Sequence, residues 1–583
     1  MHVAHGEPNV IRRSRHVTIA KLAACAASTK SRQWSPPIGR RPLSPHREDW
    51  ANIRDSVEEA LSAMNKRLDV LVSLMLPTQP ISPSVHMGGS RSEYEVLASQ
   101  EDSPFDLPSK LLSNSSLMDV LGLDADFAQV LLRGERTISS EANASAGTRM
   151  LVVRHRHIVS ALAAFSAHVH IWYPILPLGF SQEYFRVLSG SLPPSSETCL
   201  SLLVVAIGLV VEGDEAVPDI PYFQTALTLL PIIISECSVR SVQCLVLISL
   251  YYCCLLKPCQ AHDYCLIASS KIQNIIKSGL EGDNPDTVDQ TRRAYWGALL
   301  LENEIAGQLD VPKSGIWYLD EHVPLPLCQQ TWEFQPRNMS LADTAPAPSG
   351  IALSALSNRE NMENTRSYFL AEIAMRRMLH RCNTAVQATS AGEYVYAPSI
   401  ALELEHQLEE WYLCLPEMIR FEKGDLSQPL EMVKIPPCPL SNFLRVQYYC
   451  CKLSIYWPAV YQAMQDGAVS DRLLDHCRTF FDSYMMLTPS IVAAFDNCRV
   501  NRWTLFVSLL TLLDSIFITS VAAMTAGNTP CLSELCSPQF HQCIQASGRV
   551  DKTVLQQSPS LMMLQEVLEE RLSEASLYGK RNN

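Results

Sequence analysis

Nineteen cysteines and fifteen histidines are the side chains of this chain with the chemistry to hold a metal or act as nucleophiles. Metal sites need thiolates or imidazoles at close, regular spacing, so that several ligands reach one ion. Cys253, Cys254, Cys259 and Cys265 are near one another, but they sit within or beside apolar helical runs. They read as buried reduced thiols, as do Cys244, Cys450 and Cys451. His155, His157, His168 and His170 share one short stretch. His168 and His170 do not share a helical face, and the stretch reads as a solvated basic face. Asp124-Ala125-Asp126 is too sparse for the Asp-rich metal motif of a helical enzyme such as a terpene cyclase, and reads as a helix start. No glycine-rich phosphate loop, Gly-x-Ser-x-Gly or His-Glu-x-x-His occurs. The sequence therefore nominates no catalytic residue and no metal ligand.

The elements that would position any chemistry are helices. The chain has 583 residues, of which 47% are hydrophobic and 18% charged, enough for a large core. The net charge of -13 argues against a protein coated in positive charge to hold nucleic acid. That average conceals a polarity. Residues 1–47 carry Arg12, Arg13, Arg15, Lys21, Lys30, Arg32, Arg40, Arg41 and Arg47 against the single acid Glu7, with Pro36, Pro37, Pro42 and Pro45 and no apolar periodicity. They read as a disordered basic arm, in which Arg12, Arg13, Arg15, Arg40 and Arg41 are candidates to contact DNA phosphates. The same acid-poor, Arg/Ser-rich character also fits a mitochondrial transit peptide.

Residues 48–76 change period. Val57, Leu61, Met64, Leu68, Leu71 and Met75 recur at alternating steps of four and three, an a/d heptad seam that Pro77 ends. Two readings stay open: a parallel dimerisation helix through Val57, Leu61, Met64, Leu68 and Leu71, or an amphipathic helix packed on its own domain. Residues 77–111 are a Ser/Pro/Gly linker. Residues 112–530 carry helical periodicity almost throughout, with a polar break at 329–360 and the helical pattern resuming near Asn361. Residues 531–583 read as an irregular tail with a last amphipathic helix from Leu561. The apolar runs Leu200–Val211 and Val242–Leu256 are short for a membrane span, and Leu505–Met524 contains Asp514, so buried helices of a large core are expected. The fold class is all-α.

Arg292-Arg293-Ala294-Tyr295-Trp296, followed by an apolar run with Glu302 and Glu304, is the most distinctive stretch. It resembles the Arg-Arg-x-(aromatic)-Trp signature in the middle homology region of fungal binuclear zinc-cluster transcription factors. Three further segments resemble that region in order. They are the aromatic-Pro-apolar turn at Tyr173-Pro174-Ile175-Leu176; Ser241-Val242-Gln243 with the turn at Lys257-Pro258, Ala268 and Gly279; and Gly315-Ile316, Asp320 and Val323-Pro324-Leu325-Pro326. Pro312 stands one residue too far from Gly315 for the closing pattern. Together they cover residues 165–326. Arg292, Arg293, Tyr295 and Trp296 are expected to be scaffold, with Arg293 pairing an acid and Trp296 filling a core.

The resemblance implies a nuclear transcription regulator of a metabolic or secondary-metabolite gene set, with the helical domain regulating activity, and not an enzyme. It also implies a DNA-reading cage of six cysteines holding two zinc ions, in two Cys-x-x-Cys-x6-Cys halves. Before Cys199 this chain has only Cys25, so no zinc or other cofactor is expected. Promoter contact is then expected to be indirect or through residues 1–47. A start assigned in the wrong place, with the finger upstream of Trp50, is a further reading. The competing class is a non-DNA-binding adaptor or inhibitor that dimerises with an intact family member; a helical enzyme is a distant third. The expected partners are DNA, a homo- or heterodimer with transcription factors and a small-molecule effector, with no membrane.

Overall fold

The computed structural model describes residues 126–142, residues 155–502 apart from interruptions of which the longest is 335–350, and parts of 505–569. All of these belong to the unit 54–583. The basic arm with Arg12, Arg13, Arg15, Arg40 and Arg41, the heptad segment with Val57, Leu61, Met64, Leu68 and Leu71, and the linker 77–111 lie outside the described residues.

The architecture is all-α. Helices α1 (Phe127–Ala142), α2 (His155–Phe165), α3 (Phe180–Leu188), α4 (Ser196–Glu212), α5 (Ile220–Thr228), α6 (Leu230–Ser235), α7 (Val239–Cys254), α8 (Pro258–Lys277) and α9 (Pro285–Ala306) come first. After them come α10 (Ile351–Arg381), a hairpin of β1 (Val386–Ala388) and β2 (Tyr394–Tyr396), then α11 (Pro398–Cys414), α12 (Pro439–Asp466) and α13 (Asp471–Asn497). A further helical stretch, α14, spans residues 559–567.

The sequence explains the layering. Helices α4 and α7 are apolar around their whole circumference, and almost every residue in them is buried. A helix without a polar face must be surrounded by others. Helices α2, α3, α5 and α8 therefore pack around them, and α9 packs on α8. Close approach of α2 to α4 depends on Gly208: a Cβ there would stand 2.1 Å from the carbonyl oxygen of Ala161. The second half is built on the α12–α13 hairpin, with α10 and α11 against α12. Edge-to-face rings join the halves: Trp172 meets Tyr368 of α10 at 5.2 Å and Phe443 of α12 at 5.4 Å. One hydrophobic cluster includes both halves and also Phe540, Leu561 and Leu564.

Helix ends follow local chemistry. Ser195 and Ser238 cap α4 and α7 by accepting the amides of Thr198 and Ser241. Asn284 caps α9, accepting the Asp286 amide at 3.0 Å, with Pro285 in the first turn. Gly279, at φ +63°, ends α8 in the left-handed region, as its position after the periodic run predicts.

Three expectations need correction. Helix α10 begins at Ile351, ten residues before the sequence pattern resumes, because the polar run Ser357-Asn358-Arg359-Glu360 separates Ile351, Ala355 and Leu356 from the later periodic residues. The β1–β2 hairpin has no signal in the sequence pattern; Val386-Gln387-Ala388 and Tyr394-Val395-Tyr396 are too short to show alternation. Helical spacing puts Tyr264, Ile267, Ala268, Ile272, Ile275 and Ile276 on one face of α8, yet Ile267 is 37% exposed, while Ala268, Ile272 and Ile275 are buried.

Gly208→Ala is expected to force α2 and α4 apart, lowering stability by about 1–3 kcal/mol through overpacking. The midpoint of urea unfolding measures this, and an unchanged midpoint would contradict the close approach.

Candidate functional site

The sequence-predicted signature lies in the middle of α9. Arg293 is 1% exposed, and Tyr295 and Trp296 are wholly buried, whereas Arg292 is half-buried. A buried guanidinium costs several kcal/mol unless its charge and its donors are met. Arg293 is met from two sides. Its Nε donates to Asp289, one turn earlier in α9, at 3.1 Å. Its Nη1 donates to the carbonyl oxygens of Pro174 at 2.7 Å and Leu176 at 2.9 Å.

Those two carbonyls belong to the turn that leads into α3, which is buried and irregular. Between them Ile175 offers its carbonyl to the Gln243 side-chain amide at 2.6 Å. The amide of Trp332 also donates to Leu176, at 3.3 Å. A buried loop needs partners for its backbone, and here side chains of two remote helices supply them.

The same helix fastens the closing segment. Asp289 accepts the backbone amides of Leu327 at 2.5 Å and Cys328 at 3.3 Å. Tyr295 donates its hydroxyl to the Ile316 carbonyl at 2.9 Å, and Trp296 its indole N–H to Pro324 at 3.2 Å. Glu302 accepts the Ser314 amide at 2.8 Å and hydroxyl at 2.6 Å, holding the turn where Gly315 adopts φ +75°. The acid expected opposite Arg293 is thus Asp289, while Glu302 and Glu304 serve other partners. The four resembling segments meet here in one lock.

A second buried cation joins the lock to α10. Arg376 reaches Glu304 of α9 and donates its Nε to Glu372, a turn earlier in α10, at 2.8 Å. Burial opposes the charge on Arg376, but Glu304 and Glu372 outweigh it and hold the guanidinium above its ordinary range. Next to it, Arg377 donates to Asp320 at 3.3 Å, with its guanidinium 5.7 Å from the Trp296 ring centre. Sequence reasoning does not find Asp289, Glu372, Arg376 or Arg377; four-residue spacing within α9 and α10 is the available signal.

His170 is a correction. It is not on a solvated face: it lies at the end of a π-helical turn, Ser166–His170, which shifts the helical register and turns it inward. Its Nε2 is 3.0 Å from the Trp332 carbonyl, its ring is edge-to-face with Trp332 at 4.9 Å, and burial pushes its pKa down to about 3. His155 is exposed. Cys253, Cys259 and Cys265 are buried free thiols and Cys254 is half-buried. Burial pushes Cys254 up to about 12 and Cys259 up to about 11, away from the thiolate a metal requires. Among the described residues no group of three or more His, Cys, Asp or Glu could hold a metal ion. Nor is any helix among them long and apolar enough to cross a membrane.

The profile of the family described as "Fungal specific transcription factor domain" matches residues 162–413. This interval contains the whole lock and extends past 326 to include α10 and α11. The Aspergillus rugulosus protein named "Putative transcription factor ecdB" is 44% identical over 534 residues, covering 89% of this chain and 90% of that protein. No solved structure matches the chain.

Arg293→Met is expected to cost about 3–5 kcal/mol, because Asp289 is left buried without its cation. Arg293→Lys should recover only part of this, since an ammonium lacks the planar fork that reaches Asp289 and two carbonyls together. Unfolding midpoints of the two variants test the order. His170 sets an acid limit. Its folded pKa lies below the unfolded value of about 6.5, so its contribution is complete above that pH. It is lost at about 1.4 kcal/mol per pH unit as pH falls from there toward the folded value. His170→Asn should therefore lose about 2 kcal/mol less than the parent chain between pH 7 and pH 5, read from unfolding midpoints at each pH.

Proposed function

Because the chain belongs to the fungal specific transcription factor domain family, in which the residues of its signature act as scaffold here, we propose a regulator that works in the nucleus on a metabolic or secondary-metabolite gene set. The family makes the chain a transcription regulator and not an enzyme. The observation that carries the reading is the lock. Arg293, Asp289, Tyr295 and Trp296 spend their hydrogen bonds on backbone of the opening and closing segments. Such an arrangement holds a domain in one shape. The helical domain is the regulatory part, able to respond to a partner or a small-molecule effector.

Promoter contact is assigned to the basic arm or to a partner. Arg12, Arg13, Arg15, Arg40 and Arg41 supply charge that holds phosphates without reading bases. Val57, Leu61, Met64, Leu68 and Leu71 supply a seam for a homodimer or for pairing with another family member. Pairing would bring sequence specificity from that partner; the alternative is a non-DNA-binding adaptor or inhibitor that dimerises with an intact family member.

Chromatin immunoprecipitation of the tagged chain in its own cells tests this. Promoter occupancy is expected, and its absence would sink the regulator mechanism. Replacing the five arginines with alanine should abolish occupancy if the arm makes the contact. Leu61→Glu with Leu68→Glu should abolish it if a partner does, and should also convert the chain to monomer in sedimentation.

A further inference from the structure

Helix α1 carries a buried carboxylate, Glu135, 4% exposed, with no cation bound to it among the described residues. Its Oε1 accepts three hydrogen bonds, all from the start of α14: the Ser558 hydroxyl at 2.5 Å, the Ser560 amide at 3.0 Å and the Ser560 hydroxyl at 2.5 Å. Ser558 is the N-cap of α14, since the Met562 amide donates to its carbonyl at 3.1 Å and Pro559 follows as the first helical residue. Both serines are fully buried. Apolar groups also meet here: a Cβ on Gly134 of α1 would stand 3.7 Å from Cβ of Pro559 and 3.8 Å from Sδ of Met563 in α14. Arg136, the nearest basic residue along α1, is engaged with Asp263 instead.

The site thus holds one carboxylate by hydroxyls and a helix N-terminus, and no cation is bound to it among the described residues to balance a second negative charge. The Ser558-Pro559 dipeptide is a target for a proline-directed serine/threonine kinase; Ser560 is followed by Leu561 and is not. We propose that Ser558 is a phosphorylation site and that its phosphoryl group releases α14 from α1. The kinase would transfer the γ-phosphoryl of ATP to Oγ of Ser558. The Oγ–P bond forms, the bond from the γ-phosphorus to the bridging oxygen breaks, ADP leaves, and the hydroxyl proton passes to the kinase's base. The product carries about 1.5–2 negative charges, which cap the N-terminus of α14 by themselves. They cannot lie against Glu135 out of water. Local chemistry therefore keeps the helix while electrostatics expels it. A single terminal helix undocks at lower cost than the core opens, which gives the kinase access to a serine buried in the closed form.

The full-length chain, incubated with a proline-directed kinase and ATP, is expected to gain phosphate at Ser558 by peptide mass spectrometry. Amide exchange in 127–142 and 559–567 should then rise about tenfold as the two helices separate. Ser558 left unmodified would overturn the assignment. The mechanism is tested without a kinase by S558E, expected to raise exchange in both segments, and by S558E/E135Q, expected to return it toward the parent level. If S558E leaves exchange unchanged, or S558E/E135Q stays as open as S558E, charge repulsion at Glu135 is not the release mechanism and the proposal fails.

Discussion

A guanidinium placed where water cannot reach it dictates much of this domain. Arg293 can stay charged in the core only because Asp289 and the carbonyls of Pro174 and Leu176 are held around it. Each of those groups has a converse need. Asp289 must be neutralised and bonded, and the turn at 173–177 must place its carbonyls against donors. Satisfying all of them at once fixes where the opening turn, α7, α9 and the closing segment sit. A buried ion pair of this kind adds little net stability compared with apolar packing, but any partial arrangement is heavily penalised. It selects one geometry from the many that a helical core of similar side chains could adopt.

The lock is continued by Arg376, shared between Glu304 and Glu372, so the first half of the domain and α10 are joined through charge as well as through the rings of Trp172, Tyr368 and Phe443. Buried ionic links hold the middle of the domain, and at the margin a helix is pinned to α1 through one carboxylate. The residues of the middle lie within the interval that the family matches, and their polar groups are bonded to one another and to backbone.

Much of the helical core is legible in the sequence because it depends on local chemistry. The caps at Asn284 and Gly279 and the burial of Ala268 and Trp296 need only periodicity and end signals. Partner identity is not legible. The sequence points Arg293 toward an acid without saying which; Asp289 draws no notice because, alone, it is one more acid in a helix's second turn. His170 is misplaced on a solvated basic face because a π-helical turn, which shifts register, has no mark in the sequence. Ile267 shows the limit of periodicity itself: it lies at the edge of the stripe, where neighbouring helices decide burial.

The contact between α1 and α14 also orders events during synthesis. Glu135 and Ser558 are separated by 423 positions, so the carboxylate emerges from the ribosome long before its three donors exist. At typical elongation rates of about 5–20 residues per second, that interval lasts tens of seconds. Throughout it, α1 lacks the helix whose Pro559 and Met563 pack over Gly134. The nascent chain therefore passes through a period in which its first described helix can only be finished by its last, and a chaperone that shields α1 would act in that window.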